Sequence, residues 1–205
     1  MDTGLPTKVF ALRSNLSGRA CPFVPNLPNC VTDDELIDRC LRHDRTAQRL
    51  LFERYKRALY TRALRMLNDA DAAHDVLQET FVQAFRDLGQ FRREASLGNW
   101  LRTIVIRRAL RSLRDRSQFE AVDERVIEQI AAPPWPDGLT GDDLDRAIRS
   151  LPPSSRAVFL LVEVEGYSQA EAACLLGVSE GTIKSQLYYA KKLLRQRLAD
   201  YAPQP

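Results

Sequence analysis

The stretch YSQAEAACLLGVSEGTIKSQLYYAKKLL, residues 167–194, carries the most specific structural signal in the chain. Ser168 and Glu171 have the spacing of a capping box, which begins a helix. Gly177 follows the apolar residues that end this helix, where the backbone needs a left-handed residue. Ser179 is suited to cap a second helix. The pattern therefore predicts two helices joined by a tight turn, a helix-turn-helix.

The second helix of this motif is predicted to expose polar side chains at its N-terminal end, the part that reads base edges in such motifs. Lysines further along the same helix are suited to bind phosphates. An ordinary helical hairpin with a solvated basic face is the alternative interpretation. The candidate DNA-contacting residues are Ser179, Glu180, Thr182, Lys184, Ser185, Gln186, Tyr188, Tyr189, Lys191 and Lys192.

A second basic stretch, WLRTIVIRRALRSLRDR at residues 100–116, has the apolar spacing of a buried helix and yet contains six arginines. At about 100° per residue, apolar residues fill one half of this helix. The opposite arc holds Trp100, Thr103, Arg107, Arg111 and Arg114. We expect the helix to pack with one face and to bind a partner with the other.

The charge of the chain is unevenly distributed. Residues 91–116 carry a net +6 and residues 184–197 a net +5, so the remainder carries −8, since the total is +3. Two separate basic segments in an otherwise acidic protein indicate a polyanion that is bound at two places, and nucleic acid is the obvious candidate. Solvated helix faces are the alternative for either segment alone.

The stretch DAAHDVLQETFVQAF, residues 71–85, predicts a different kind of surface. An apolar stripe is formed by Leu77, Phe81, Ala84, Phe85 and Leu88, whereas Asp75, Glu79, Val82 and Arg86 fall on the outward face. An acidic face would repel phosphate, so it is either solvated surface or a docking site for a protein. The residues alone do not decide between these two.

Helical periodicity dominates the sequence and no β-type alternation competes with it, which predicts an all-α fold of two small helical domains joined by a flexible linker. A short helix is possible within the linker, near residues 123–130. The predicted segments are a disordered N-terminal tail at 1–31, a helical domain at 32–116, the linker at 117–141, a helix-turn-helix domain at 142–199 and a C-terminal tail at 200–205.

Several functional classes lack support in the sequence. No phosphate-binding loop, dinucleotide turn, metal-ligand spacing or nucleophile arrangement is present, so neither an enzyme nor a cofactor nor a metal is expected. No apolar run is long enough for a signal peptide or a membrane span, which favours a cytoplasmic protein with reduced thiols. Cys174 is predicted to pack as a small apolar residue. A redox or zinc role for Cys21, Cys30 and Cys40 stays open.

Three stretches together resemble the second and fourth conserved regions of the bacterial sigma-70 family. They are DVLQETF at 75–81, FRREASLGNWLRTIV at 91–105 and LPPSSRAVFLLVEVEGYSQAEAACLLGVSEGTIKSQL at 151–187. The similarity covers residues 33–116 and 142–199. The short segment between the two halves matches the smallest members, the extracytoplasmic-function (ECF) sigma factors.

The resemblance implies a role for each of the three surfaces. The acidic face would bind core RNA polymerase through Asp75, Gln78, Glu79, Val82 and Gln83. The helix-turn-helix would bind the −35 promoter element as duplex. The melted non-template strand of the −10 element would be held by Phe91, Arg92, Arg93, Ser96, Asn99, Trp100, Thr103, Arg107, Arg108, Arg111 and Arg114.

The resemblance also implies transcription of a stress or envelope regulon, an anti-sigma factor as a further partner and no stable homo-oligomer. Two departures leave the promoter sequence open. Where the family commonly has IARN followed later by Asp, this chain has Arg107 in place of the Asn and then Arg111, and Gln186 and Tyr189 replace frequent arginines. The alternative function is a free-standing helix-turn-helix regulator that binds an operator without polymerase, which would be expected to dimerise.

Overall fold

The computed structural model describes residues 31–115 and 140–199, which form eight α-helices and no strand. The all-α prediction is confirmed. The chain divides into two compact units between Ser112 and Leu113. Outside the described residues lie the predicted N-terminal tail up to residue 30 with Cys21 and Cys30, nearly all of the predicted linker with the short helix near residues 123–130, and residues 200–205.

The described part of the first unit contains four helices and a short 3₁₀ turn. They are α1 (Asp33–Leu41), α2 (Arg45–Leu67), α3 (Ala70–Asp87), the 3₁₀ turn (Leu88–Gln90) and α4 (Leu97–Asp115), whose last three residues fall beyond the division of the chain.

Short polar side chains determine where the helices of the first unit begin. Thr32, Asp44 and Asp69 each accept hydrogen bonds from backbone amides two or three residues further on, at the starts of α1, α2 and α3. These bonds satisfy donors that have no partner within the helix. Asn68 ends α2 in the left-handed conformation, with φ 55°. The sharp change of direction after α2 follows from this residue.

The apolar stripe predicted for α3 faces the core of the first unit. Leu77, Phe81, Ala84 and Leu88 are buried, and Phe85 is half-buried. The ring of Phe81 lies 4.8 Å from that of Phe52 on α2, measured between centroids. Each fully buried side chain of this size contributes about 1.5–3 kcal/mol, so packing of α2 against α3 holds the outward face of α3 in a fixed orientation.

The complete helices described in the second unit are α5 (Gly141–Arg149), α6 (Pro153–Phe159) with a continuing π-helical turn (Leu160–Val164), α7 (Gln169–Leu176) and α8 (Glu180–Ala199). Helix α5 follows a capping box formed by Thr140 and Asp143, and its first residue, Gly141, lies one residue before the predicted domain start. Helix α8 packs against α5, α6 and α7. The core of this unit therefore lies along one side of α8.

The helix-turn-helix is confirmed in α7 and α8. Ser168 and Glu171 form the predicted capping box, and the hydrogen bonds from Ser168 lower the pKa of Glu171. Gly177 has φ 70°, the left-handed conformation expected at the turn. The prediction for Cys174 is wrong, since this side chain is exposed. Helix α7 has only eight residues, and Ala172, Ala173 and Leu176 already supply its buried stripe.

A buried arginine joins α5 to α6. Arg156 is 3% exposed, and its Nη1 atom donates to the carbonyl oxygens of Arg149 at 3.2 Å and Leu151 at 2.9 Å. Burial lowers the pKa of this guanidinium. These bonds satisfy carbonyl groups at the C-terminal end of α5 that the helix itself leaves open.

Replacing Gly177 by Ala should destabilise the second unit by about 1–2 kcal/mol, because a residue with a Cβ is strained at a left-handed position. Open space surrounds the added methyl group, so the cost is one of backbone conformation alone. Gly141→Ala is the matched control, since its Cβ also meets nothing within 4 Å and alanine suits a helix. Urea unfolding of each variant measures the difference. Equal stability of both variants would contradict the role given to Gly177.

Candidate functional site

Helix α4 has the two faces that its sequence predicts. Leu101, Val105 and Ala109 are almost fully buried on one side. The other side, which we call the arginine face, consists of Trp100, Thr103, Arg107, Arg111 and Arg114. Its three arginines are exposed, and the other two residues are half-buried. Burial of the apolar side fixes the direction in which the arginines project.

The loop at residues 91–96 precedes α4 and adds an aromatic group to the arginine face. The ring of Phe91 lies 5.0 Å from that of Trp100, with 32° between their planes. Ser96 accepts a hydrogen bond from the backbone N–H of Asn99, so it helps to begin α4. Arg92, Ser96 and Asn99 are exposed. A partly open aromatic pair thus lies beside a row of cations.

Arg93 differs from the other predicted DNA-contacting residues of this loop. It has φ 57°, and its guanidinium forms ion pairs with Asp38 and, at 3.4 Å, with Asp34 of α1. The hydrogen bond with Asp38 raises the pKa of Arg93. Two carboxylates offset the charge that this side chain would present to a phosphate. The structure gives Arg93 a contact that anchors the loop to α1.

The outward side of α3 forms what we call the acidic face. Val82 is 68% exposed and lies among polar side chains. Asp75, Gln78 and Glu79 are also exposed, whereas Gln83 is half-buried. An apolar side chain with a polar rim is the arrangement found in protein interfaces.

Arg108 was predicted to bind DNA with the arginine face, but its guanidinium is directed to α3. The Nε atom donates to Gln83 Oε1 at 2.9 Å, and Nη1 donates to Glu79 Oε2 at 2.7 Å. The physical reason is that Arg108 lies outside the predicted arc, about 100° around the helix from Arg107, within reach of a carboxylate on the neighbouring helix. Arg108 therefore belongs with the acidic face.

The third surface lies along the exposed side of α8. Ser179 caps this helix by accepting from the N–H of Thr182 at 3.1 Å. Glu180, Lys184 and Tyr188 are exposed. The remaining predicted contact residues, apart from Gln186, are half-buried, and they are Thr182, Ser185, Tyr189, Lys191 and Lys192.

Two contacts shape the basic part of this surface. Lys192 Nζ lies 5.3 Å from the centre of the Tyr188 ring, a cation–π distance. Lys191 pairs with Glu163 of the π-helical turn, with 3.0 Å between Nζ and Oε1. An open cavity of about 170 Å³ lies here, and its lining includes Lys184, Lys192 and Arg195. The positive charge is thus concentrated around one concave region, and Lys191 is partly compensated.

The predicted exposure of Gln186 is wrong, because this side chain is 1% exposed. Its Oε1 atom accepts hydrogen bonds from the hydroxyl groups of Ser155 at 2.5 Å and Ser154 at 3.5 Å. Helical spacing could have found it, because Gln186 shares the stripe of Ile183 and Ala190, which are also buried. The amide is a polar contact between α6 and α8 and is not available to a base edge.

The described residues lack two further kinds of site. Within residues 31–115 and 140–199, no cluster of three or more His, Cys, Asp or Glu side chains could hold a metal ion. No helix in the same two segments is both long and apolar enough to cross a membrane.

Comparison with known families identifies both halves of the chain. Residues 51–119 match sigma-70 region 2, which takes in most of α2, α3, the loop and α4. Residues 141–194 match sigma-70 region 4, which takes in α5 to α8 up to Leu194. The two matches place the arginine and acidic faces in region 2 and the helix-turn-helix in region 4.

Two sequence relatives agree with this assignment. The ECF RNA polymerase sigma factor SigM of Mycobacterium tuberculosis is 33% identical over 82% of this chain and 85% of its own. The RNA polymerase sigma-H factor of Pseudomonas aeruginosa is 29% identical over 81% and 93%. Among solved structures, the sigma factor RpoE in complex with the anti-sigma factor NepR from Bartonella quintana is 25% identical, covers 74% of this chain and 96% of its own, and has a TM-score of 0.48.

The chain belongs to the sigma-70 family. Within that family it is an ECF RNA polymerase sigma factor, a transcription initiation factor, and not a free-standing regulator. The helix-turn-helix is therefore part of region 4, and the acidic and arginine faces are part of region 2.

Gln186→Ala should destabilise the second unit by about 1–3 kcal/mol, because it leaves buried hydroxyl groups without their acceptor. Lys184→Ala, two residues away on the exposed side of the same helix, should change stability by less than about 0.5 kcal/mol. Urea unfolding of both variants makes the comparison. A Gln186→Ala variant as stable as the Lys184→Ala control would show that the buried contact is not structural.

Proposed function

We propose that each of the three surfaces binds a different ligand during promoter recognition. The acidic face binds core RNA polymerase, the arginine face with its loop holds the melted −10 element, and the exposed side of α8 binds the −35 element. The observation that carries this proposal is the opposite charge of two neighbouring helices in one unit. The acidic face of α3 and the arginine face of α4 cannot serve the same ligand, because one repels phosphate and the other attracts it.

The chemistry of the acidic face suits a protein partner. Val82 is 68% exposed, so its apolar surface is available for a partner to cover, and covering it would favour binding. Asp75, Gln78 and Glu79 can supply charged and polar contacts around it. Complementary charge at such a rim speeds association and selects the partner. A basic surface with an apolar centre on core polymerase would fit this face.

The arginine face suits single-stranded DNA. Unstacked bases bind to aromatic rings, and the paired rings of Phe91 and Trp100 offer such a support at the start of α4. Arg107, Arg111 and Arg114 follow along the same side of the helix, where they can track the backbone of the strand. We assign Arg93 and Arg108 to other contacts, because carboxylates already engage both.

The exposed side of α8 suits duplex DNA. Lys184 and Ser185 lie near the N-terminal end, from which a recognition helix reaches base edges. Tyr188, Lys192 and Arg195 follow, around the open cavity, and can contact phosphates. Gln186 is excluded from base reading by its burial.

We further propose that an anti-sigma factor controls the protein and that its regulon serves envelope or stress responses. The family resemblance supports both expectations. An inhibitor that covers the acidic face would compete directly with core polymerase. Competition between core polymerase and the inhibitor for the purified protein tests this mode of control.

The double substitution Asp75→Lys and Glu79→Lys should abolish assembly with core polymerase. It reverses charge at the centre of the proposed interface, and like charges there should weaken binding by more than about 100-fold. Native gel mobility or fluorescence anisotropy with purified core polymerase measures assembly. Glu35→Lys with Glu53→Lys is the matched control, since both residues are exposed acids of the same unit outside α3. Assembly that survives in the first variant would remove the acidic face from the mechanism.

Arg107→Ala with Arg111→Ala should reduce promoter opening and leave the fold intact, because both side chains project from α4 into solvent. Each lost phosphate contact should reduce the salt dependence of binding to a −10 non-template strand by about one unit of slope. The control pair is Arg42→Ala with Arg57→Ala, two exposed arginines elsewhere in the unit. Unchanged opening and slope in the first variant would contradict the assignment, as would a large loss of thermal stability.

A further inference from the structure

Arg108 connects the promoter-facing helix to the polymerase-facing helix. It is next to Arg107 in sequence, but only 26% of its side chain is exposed, because it lies over α3. Its Nε and Nη1 atoms donate to Gln83 and Glu79 at 2.9 and 2.7 Å. These two acceptors are one helical turn apart on α3. One guanidinium therefore holds two members of the acidic face at once.

The chemistry of the contact is specific to arginine. A guanidinium is planar and presents its donors in a fixed fork, so two bonds from different nitrogens fix the directions of both acceptors. A lysine at position 108 would supply a single point charge. Glu79 remains 57% exposed while it is held, so its carboxylate can still meet a partner. The contact orients this carboxylate without covering it.

We propose that Arg108 is a positioning residue for the docking of core polymerase. This inference rests on the proposed function of the acidic face. A free glutamate samples several rotamers, and binding must restrict them at a cost in entropy. Arg108 restricts Glu79 and Gln83 before the partner arrives. It also ties α3 to α4, so the surface that binds polymerase and the surface that holds the melted strand share one contact.

A direct contact between Arg108 and DNA is the competing role. Such a contact would require the guanidinium to leave Glu79, because the ion pair offsets the charge that a phosphate needs. The two roles affect different measurements. A positioning residue changes the affinity for polymerase, whereas a phosphate contact changes the salt dependence of binding to the −10 strand.

The experiment uses the full chain and three single variants, Arg108→Ala, Arg108→Gln and Arg107→Ala. Fluorescence anisotropy gives the affinity for core polymerase. Preassembled holoenzyme and a −10 non-template oligonucleotide give the salt slope, and thermal unfolding gives stability. Arg108→Gln keeps the packing of the side-chain stem, so it replaces Arg108→Ala in all measurements if that variant fails to fold. Arg107→Ala is the reciprocal control.

We expect both Arg108 variants to weaken polymerase binding by about three- to tenfold and to leave the salt slope unchanged. Arg107→Ala should do the reverse. In a background that carries both Glu79→Ala and Gln83→Ala, Arg108→Ala should have less than about a twofold further effect, since both of its acceptors are gone. If Arg108 only stabilised the fold, Arg108→Ala would weaken polymerase binding equally in both backgrounds. A smaller effect in the second background therefore indicates positioning.

Polymerase affinity within twofold of the parent in both Arg108 variants would overturn the inference, as would a salt slope lowered by about one. Asp75→Lys distinguishes this failure from failure of the proposed function. If Asp75→Lys abolishes polymerase binding and the Arg108 variants do not change it, only the positioning role is wrong. If Asp75→Lys also leaves binding unchanged, the acidic face does not bind polymerase and both proposals fail.

Discussion

Burial of one side of α4 is the constraint on which the first unit depends. Leu101, Val105 and Ala109 are each no more than 1% exposed, so the helix cannot rotate about its axis without exposing them. At about 25 cal/mol per Å² of apolar surface, such a rotation would cost several kcal/mol. Burial of the apolar side therefore determines the direction in which the arginine side chains project. Charge repulsion among neighbouring arginines is tolerated because they point into water.

In the second unit, a buried polar contact fixes the orientation of α8. Helix α8 is buried along one stripe, but that stripe contains the polar Gln186 as well as Ile183 and Leu194. Buried hydrogen bonds between Gln186 and the two serines of α6 can form in only one register of α8 against α6. Apolar contacts alone would allow more than one packing. The exposed residues from Lys184 to Lys192 thus form a surface of defined geometry.

Periodicity predicted the helices, their buried stripes and the direction of the arginine face, because each of these depends on residues within a few turns of one another. It also located Gly177, since the turn chemistry is local. Three side chains have contacts that the sequence did not predict, with partners far away in the chain. Gln186 is 31 residues from Ser155, Arg108 is 29 from Glu79, and Arg93 is 55 from Asp38. Residue type suggested a surface role for all three, and only the packing of helices brings their partners to them.

Photo-crosslinking in the open promoter complex tests directly whether the three faces of the two units bind three different ligands. A photoreactive phenylalanine analogue is placed singly at Val82, Trp100 or Tyr188, the last two being aromatic already. We expect position 82 to crosslink to core RNA polymerase, position 100 to the non-template strand of the −10 element and position 188 to duplex DNA at the −35 element. Crosslinking of position 82 to DNA, or of position 100 to polymerase alone, would contradict it.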